Sequence, residues 1–525
     1  MHVHTGEGDA PAEASSKLRV LAIVLLLLAP AIAHFAFHYG HGFARGLFPT
    51  GFTQYDQAFY MACARQFVDG EAVVTYANPA SPELVSANIY FSPVLVTLGA
   101  IWSVTKLDPG VILTSFGLVA GAFAIVVAAR IFRRLFGLDG AARRLTFLCF
   151  LWGGGVYAIA GGLAMLVRHD PIAKLFQFDP GAGWWFMNFG RNLIYPLEAY
   201  YHLLVLGMFL AFVQRKRALA LGLLALLSMS HAFAGAQFVG VVVTWLALER
   251  FVVGDKSIRV GHLAGAAAIA VYHVGYYLVF LPSDPEHRKV MDFWTLPWTL
   301  HFGEWLLGMV FVLPLVAWQL RSKRHVVECF SDPNRRLLAV WFFVCFVLEN
   351  HDLFMKPHQP LHFTRGHDWT ALFLLGAPTL IAFFEYLGAR LARGRAVFAT
   401  ALVVGLFLTD NGLWMAAHYV VPQGIYLDAS QRRVINWLNA NAPRNALVVA
   451  DDDYLAYAVT IYTPNRTWFS HWATTPGAHE RSTEVRRYFS EGVEPNAWRG
   501  RNLIFVEKGT VRASLREYDS GVAER

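Results

Sequence analysis

Eleven apolar runs constrain this chain more than any other feature; they lie near residues 18–36, 109–130, 145–166, 198–213, 218–231, 233–252, 260–281, 299–319, 337–349, 369–389 and 396–419. A bilayer core of about 30 Å takes roughly 20 helical residues per crossing. Inside it every backbone N–H and C=O must find a partner within the protein, so the runs read as transmembrane α-helices. The windows 218–231 and 337–349 are short and need their flanks to reach across. Composition agrees, since 56% hydrophobic and 15% charged residues with a mean hydropathy of +0.40 fall outside the range of soluble domains. The first run reads as a retained span and not a signal peptide: it is long enough to cross, and no small-residue cleavage site leads into a soluble domain.

Charge then sets the orientation. With the N-terminus on the cytoplasmic side, the inner segments carry Lys17 and Arg19, Arg130 to Arg144, "QRKR", Arg250 to Arg259, Arg321 to Arg336 and "ARLARGR", in all 21 Lys and Arg against 10 in the outer loops. That is the positive-inside pattern. The net charge of +7 is therefore topological and points to membrane lipids, with no nucleic-acid partner. Cys63, Cys149, Cys329 and Cys345 lack metal-type spacing and form no disulfide framework.

The expected architecture is an α-helical polytopic membrane protein of about eleven spans, residues 17–420, preceded by a polar, disordered cytoplasmic segment 1–16 and followed by a small extracytoplasmic α/β domain, 421–525. "NIYFSPVLVTLGAIWSV" (88–104) is apolar, but counting it as a span would reverse every later loop; it reads as an interfacial helix within a large first outer loop, 37–108. In the tail, "NALVVA" and "NLIFVE" read as strands and "SQRRVINWLNANAP" and "YLAYAVTIYT" as helices. No Gly-rich phosphate loop accompanies them.

Within the first outer loop, "TQYDQAFYMACARQF" has helical spacing, with Tyr55, Phe59 and Ala62 on one face and Asp56 near its start. Asp56 has two readings there. It is a carboxylate favoured by a helix N-terminus, or it is a general base held at the membrane surface.

A "YD…Y" aspartate soon after the first span, a long outer loop with an interfacial helix, the basic turn "RIFRRLFG", eleven spans and an outward tail resemble the GT-C superfamily of membrane glycosyltransferases. In layout the chain resembles the protein O-mannosyltransferases and the bacterial transferases that move aminoarabinose onto lipid A. The resemblance covers roughly residues 18–420, and its compact motif is "YDQAFY". It implies an inverting transfer from a polyprenyl-phosphate-linked sugar to an envelope acceptor at the outer face of a bacterial inner membrane, with Asp56 deprotonating the acceptor hydroxyl. Many members carry a second acid directly beside the first. Gln57 stands there in this chain, which leaves a divalent metal an open question and makes Glu83 the candidate second acid.

Such chemistry needs cations on the departing phosphate as well as a base. "MKPHQPLHFTRGHDW" places Lys356, His362, Arg365 and His367 in one outer loop, either to hold a donor phosphate or to anchor the next span at the headgroups. "GRNLIYPLEAYYH" offers Arg191 for phosphate and Tyr195, Glu198 and His202 for sugar hydroxyls; Glu198 and His202 at i,i+4 also suit internal pairing or, more weakly, a metal. His231, at a turn between two spans, is a substrate ligand or a hydrogen-bonded interior histidine. "RTWFSHW" (466–472) reads as an aromatic patch that docks the tail, ahead of one that stacks on substrate. The alternatives from other classes are a transporter or flippase for a lipid-linked or polar solute, and a non-catalytic relative that binds a lipid-linked glycan.

Overall fold

The computed structural model describes residues 10–83, 86–183, 185, 187–293, 298–420, 424–507 and 510–517. Of the N-terminal segment expected to be disordered, residues 1–9 lie outside the described residues and 10–16 form the first turns of helix α1 (Ala10–Ala44).

Among the described residues, seven helices are long and apolar enough to cross a membrane: Leu18–Ala44, Pro109–Phe136, Pro196–Val213, Ala232–Val253, Val260–Ser283, His367–Arg390 and Arg393–Val420. Two bent pairs raise the number to nine, Ala141–Trp152 with Tyr157–Arg168 at 63° and Phe302–Met309 with Val312–Gln319 at 74°. The remaining two of the eleven apolar windows form shorter helices of 14 and 17 residues, Arg217–Ser230 and Pro333–Glu349, which extend about 21 and 26 Å at 1.5 Å per residue and rely on their flanks to span a core of about 30 Å.

The first bend has a clear cause. Gly153, Gly154 and Gly155 interrupt the helix, and the freed backbone groups are satisfied by neighbours: Gly154 N–H donates to Phe407 O (2.9 Å) and Val156 N–H to Leu307 O (3.0 Å). A Cβ on Gly155 would lie 2.2 Å from Leu307 O, so only glycine lets the two bent pairs meet. Broken helices at membrane depth are tolerated where protein takes over such bonds.

Between the first two spans the chain forms α2 (Tyr55–Val68) and α3 (Pro93–Thr105), which pack on each other. With 13 residues, α3 is too short to cross, as expected for an interfacial helix. The C-terminal region is a small α/β unit. Strands β3 (Leu447–Ala450), β4 (Arg466–Thr467), β5 (Asn502–Glu507) and β6 (Thr510–Glu517) form a sheet in the order β4-β3-β5-β6, with β3 parallel to β4 and β5, and β6 antiparallel to β5. All four residues of β3 are buried, as in a parallel strand covered on both faces.

This unit closes over the loop that holds α2. Strand β1 (Phe48–Pro49) pairs with β2 (Tyr426–Leu427), Arg65 donates to Ile461 O (2.7 Å), Asn78 donates to Thr474 O (2.6 Å), and the helix Asp453–Tyr462 packs on α2.

Candidate active site

Local bonds fix the start of α2 and therefore Asp56. Gln54 is its extended N-cap, and Gln57 accepts a hydrogen bond from Thr53 N–H through Oε1 (2.7 Å). Gln57 is thus a buried clamp on the turn. Asp56 sits in the first turn, where the helix dipole favours a negative charge. Its Oδ1 lies 3.0 Å from His471 Nε2; the Asp56 side chain is 26% exposed and that of His471 2%. The charge of Asp56, and then burial, hold the neighbouring Tyr55 phenol above its ordinary range.

Asp56 opens onto a cavity of about 710 Å³. Arg365, His362, His231, Trp185 and Trp298 also line it, and Leu95, Tyr76, Tyr90, Tyr201, Tyr276 and Tyr277 form mostly apolar walls. Among the described lining residues Asp56 is the only carboxylate and Arg365 the only Lys or Arg. Arg365 is held in a left-handed conformation (φ 37°) and followed by Gly366 (φ 67°), a sharp turn that ends at the first residue of the span His367–Arg390. A non-glycine residue in that region is strained, a feature that gathers at functional sites. The guanidinium lies 5.0 Å over the Trp185 ring, with Nε 3.5 Å from Glu198 Oε1. His362 stacks on Phe233 (4.4 Å between ring centres) and on Trp298 (5.8 Å).

Of the residues singled out from sequence, Asp56, Tyr55, Arg365, His231 and His362 line this cavity. Tyr195 and Glu198 support it from beneath: Tyr195 donates to Gln54 Oε1 and Glu198 pairs with Arg365. The others are elsewhere. His202 donates through Nδ1 to the Glu198 carbonyl (2.9 Å) and stacks on His367 at 4.6 Å; both are buried behind the cavity, so neither is placed to hold a sugar or phosphate. Lys356 is exposed and outside it. Glu83 receives Arg501 on both oxygens at 3.0 Å and is not a second acid of the cavity. Arg191 is fully buried between Asp179 and Asp410 (2.9 Å to the latter) and bonds Asn411 (2.8 Å). It ties the loop to the last span, because a buried guanidinium needs carboxylates more than it needs a ligand.

Sequence reasoning missed His471 as a site residue. In "RTWFSHW" the rings of Trp468 and Phe469 pack in the core of the α/β unit itself, whereas Arg466 reaches the first loop by donating to Glu83 O. The same stretch also delivers His471 to Asp56. As to a metal, no group of three His, Cys, Asp or Glu side chains converges among the described residues, and a single cavity carboxylate is a poor donor set for a divalent ion.

The bundle of spans, the first loop carrying a helix with its leading aspartate, and the small α/β unit closing over them constitute a GT-C-like fold. The chain is similar to ArnT from Cupriavidus metallidurans bound to undecaprenyl phosphate, at 12% identity and a TM-score of 0.50 over 94% of this chain and 93% of that one. It is also similar to the Archaeoglobus fulgidus oligosaccharyltransferase in its apo form (10% identity, TM-score 0.48, 89% and 68% covered) and to the same species' AglB in complex with an inhibitory peptide and a dolichol-phosphate (12%, 0.46, 90% and 68%). No protein-family model and no curated protein matches the sequence.

Proposed function

We propose that this membrane protein is a glycosyltransferase that takes a sugar from a polyprenyl monophosphate donor and passes it to a hydroxyl of a cell-envelope acceptor on the extracytoplasmic side. The observation that carries this reading is one carboxylate and one guanidinium facing a single, largely aromatic cavity. The acceptor oxygen attacks the anomeric carbon, its proton passes to Asp56, and the carbon–oxygen bond to phosphate breaks with the electron pair leaving on the phosphate. A hydroxyl is a weak nucleophile at neutral pH, so a placed base contributes about 10²- to 10⁴-fold. Arg365 meets the departing charge with a fork suited to phosphate. One cation matches the single charge of a phosphodiester better than the two of a diphosphate, and the aromatic walls suit a sugar ring and isoprene units. The undecaprenyl phosphate held by the ArnT structure supports the same donor class.

The test is transfer by the purified protein in nanodiscs from a panel of radiolabelled undecaprenyl-phosphate pentoses and hexoses to envelope lipids, glycans and proteins. Asp56→Asn is expected to lose about 100-fold or more with unchanged thermal unfolding. Full activity in that variant would remove the base, and solute movement across liposomes without transfer would favour a transporter.

A further inference from the structure

We propose that His471, supplied by the C-terminal α/β unit, is the positioning residue for Asp56, so that the candidate site is complete only when that unit is docked. The inference rests on Asp56 acting as base.

The tautomer of His471 follows from its surroundings. Ala473 N–H donates to Nδ1 (3.1 Å), which makes Nδ1 an acceptor and leaves the proton on Nε2. That N–H points at Asp56 Oδ1, 3.0 Å away. The ring has little freedom: Tyr55 and Phe59 of α2 lie at 5.3 and 5.2 Å between ring centres, Tyr457 of the α/β unit lies at 5.6 Å, and His471 N–H donates to Thr475 Oγ1 (3.0 Å) to close the local turn. A side chain 2% exposed, wedged among three rings and bonded through both ring nitrogens, is built to hold a direction.

The direction matters because a carboxylate on a short stem rotates. With Oδ1 engaged by His471, Oδ2 is the oxygen left to take the acceptor proton, and its lone pairs are aimed before substrate arrives. The choice of donor is chemically apt. A Lys or Arg favours the charged form of any carboxylate it pairs with and makes it a poorer base, whereas a neutral imidazole N–H orients the oxygen with less of that loss.

Two variants of the full chain in nanodiscs test this. His471→Phe keeps the ring packing and removes the N–H; His471→Gln keeps an N–H donor. With the undecaprenyl-phosphate sugar that the wild type uses, His471→Phe is expected to lower kcat about 10- to 100-fold, the scale of a misplaced reacting group. KM for the donor should stay within about twofold, since the His471 side chain is only 2% exposed to the cavity it borders and Phe keeps its ring packing, and His471→Gln should recover most of kcat. Isotope-labelled histidine NMR of the wild type, with no substrate present, should show the Nε2-protonated form of His471 and a change at Nε2 in Asp56→Asn. Unchanged kcat in His471→Phe while Asp56→Asn is inactive overturns the positioning role and leaves the base standing. An Nδ1-protonated ring, or no response to Asp56→Asn, overturns the contact itself. Activity retained in Asp56→Asn, or no turnover with any donor of the panel, removes the base reading and this inference with it.

Discussion

Arg365 Nε stands 3.5 Å from Glu198 Oε1, and the two side chains are 10% and 4% exposed. The pair joins the loop before one span to the first turn of another, so the cation offered to the cavity is held in place by a buried acid. Removing either partner leaves an uncompensated charge. Arg365→Ala is therefore expected to cost about 3–5 kcal/mol of stability, read by thermal unfolding, and to abolish binding of undecaprenyl phosphate. The double variant Arg365→Met/Glu198→Gln, which removes both charges, should regain most of the stability and none of the binding. Recovery of binding would show that Arg365 does not hold the phosphate.

Arg191 gives the contrasting case. It lies among Asp179, Asp410 and Asn411, while Asp410 Oδ1 also accepts from Ala158 N–H (2.9 Å) at the bend after the three glycines. Arg191→Met should destabilise by about 3–5 kcal/mol, because two buried carboxylates lose their counter-charge. The fraction that stays folded should bind undecaprenyl phosphate as the wild type does. A selective loss of binding would restore Arg191 to the donor site.

Sequence was informative where chemistry contrasted with its surroundings. Asp56 and Arg365 stood out as ionisable groups beside apolar runs, and the strands Leu447–Ala450 and Asn502–Glu507 fall within the apolar runs quoted for them. Partnerships were not legible, because they cross the fold. His471 and Asp56 are 415 residues apart in the chain, and Arg191 and Asp410 are 219 apart. In the sequence Asp56 and Arg191 read as separate candidates for base and phosphate ligand, and neither His471 nor Asp410 is singled out.

Asp108 caps the span Pro109–Phe136, accepting from Gly110 and Val111 N–H at 2.9 and 3.3 Å, and touches Tyr462 of the α/β unit. Burial raises its carboxyl above the ordinary value of 3.8, outweighing the hydrogen bonds from Val111, Gly110 and Tyr462 that pull it down. The charged form is then disfavoured in the folded state. Asn caps as well as Asp, so Asp108→Asn is expected to match or exceed the wild type in stability at neutral pH. That difference should shrink as pH falls through the folded-state pKa of Asp108 and vanish below its unfolded value. Thermal unfolding of both proteins across pH 4 to 7.5 (about that range suffices) would show it; a difference that grows on acidification refutes the burial argument.

Glu83 latches the α/β unit, bonded by Arg501 at 3.0 Å and approached by Arg481 at 3.8 Å, while its carbonyl receives Arg466. The carboxylate is 36% exposed, so the ion pairs contribute below about 1 kcal/mol. Glu83→Ala should leave global unfolding nearly unchanged and speed hydrogen exchange in the segment around His471. Protection equal to the wild type would show that the latch rests on packing alone.

The pairing of Phe48–Pro49 with Tyr426–Leu427 has a consequence for anyone dividing the protein. Ile425 N–H donates to Phe52 O (2.8 Å) and Thr50 Oγ1 donates to Ile425 O (2.7 Å), so the strand leaving the last span is stitched onto the stretch that leads into Asp56. A chain cut after Val420 sheds more than a water-facing appendage. It unpicks the hem that fixes where the reactive end of the first loop begins, and the two fragments made by such a cut are halves of one working part.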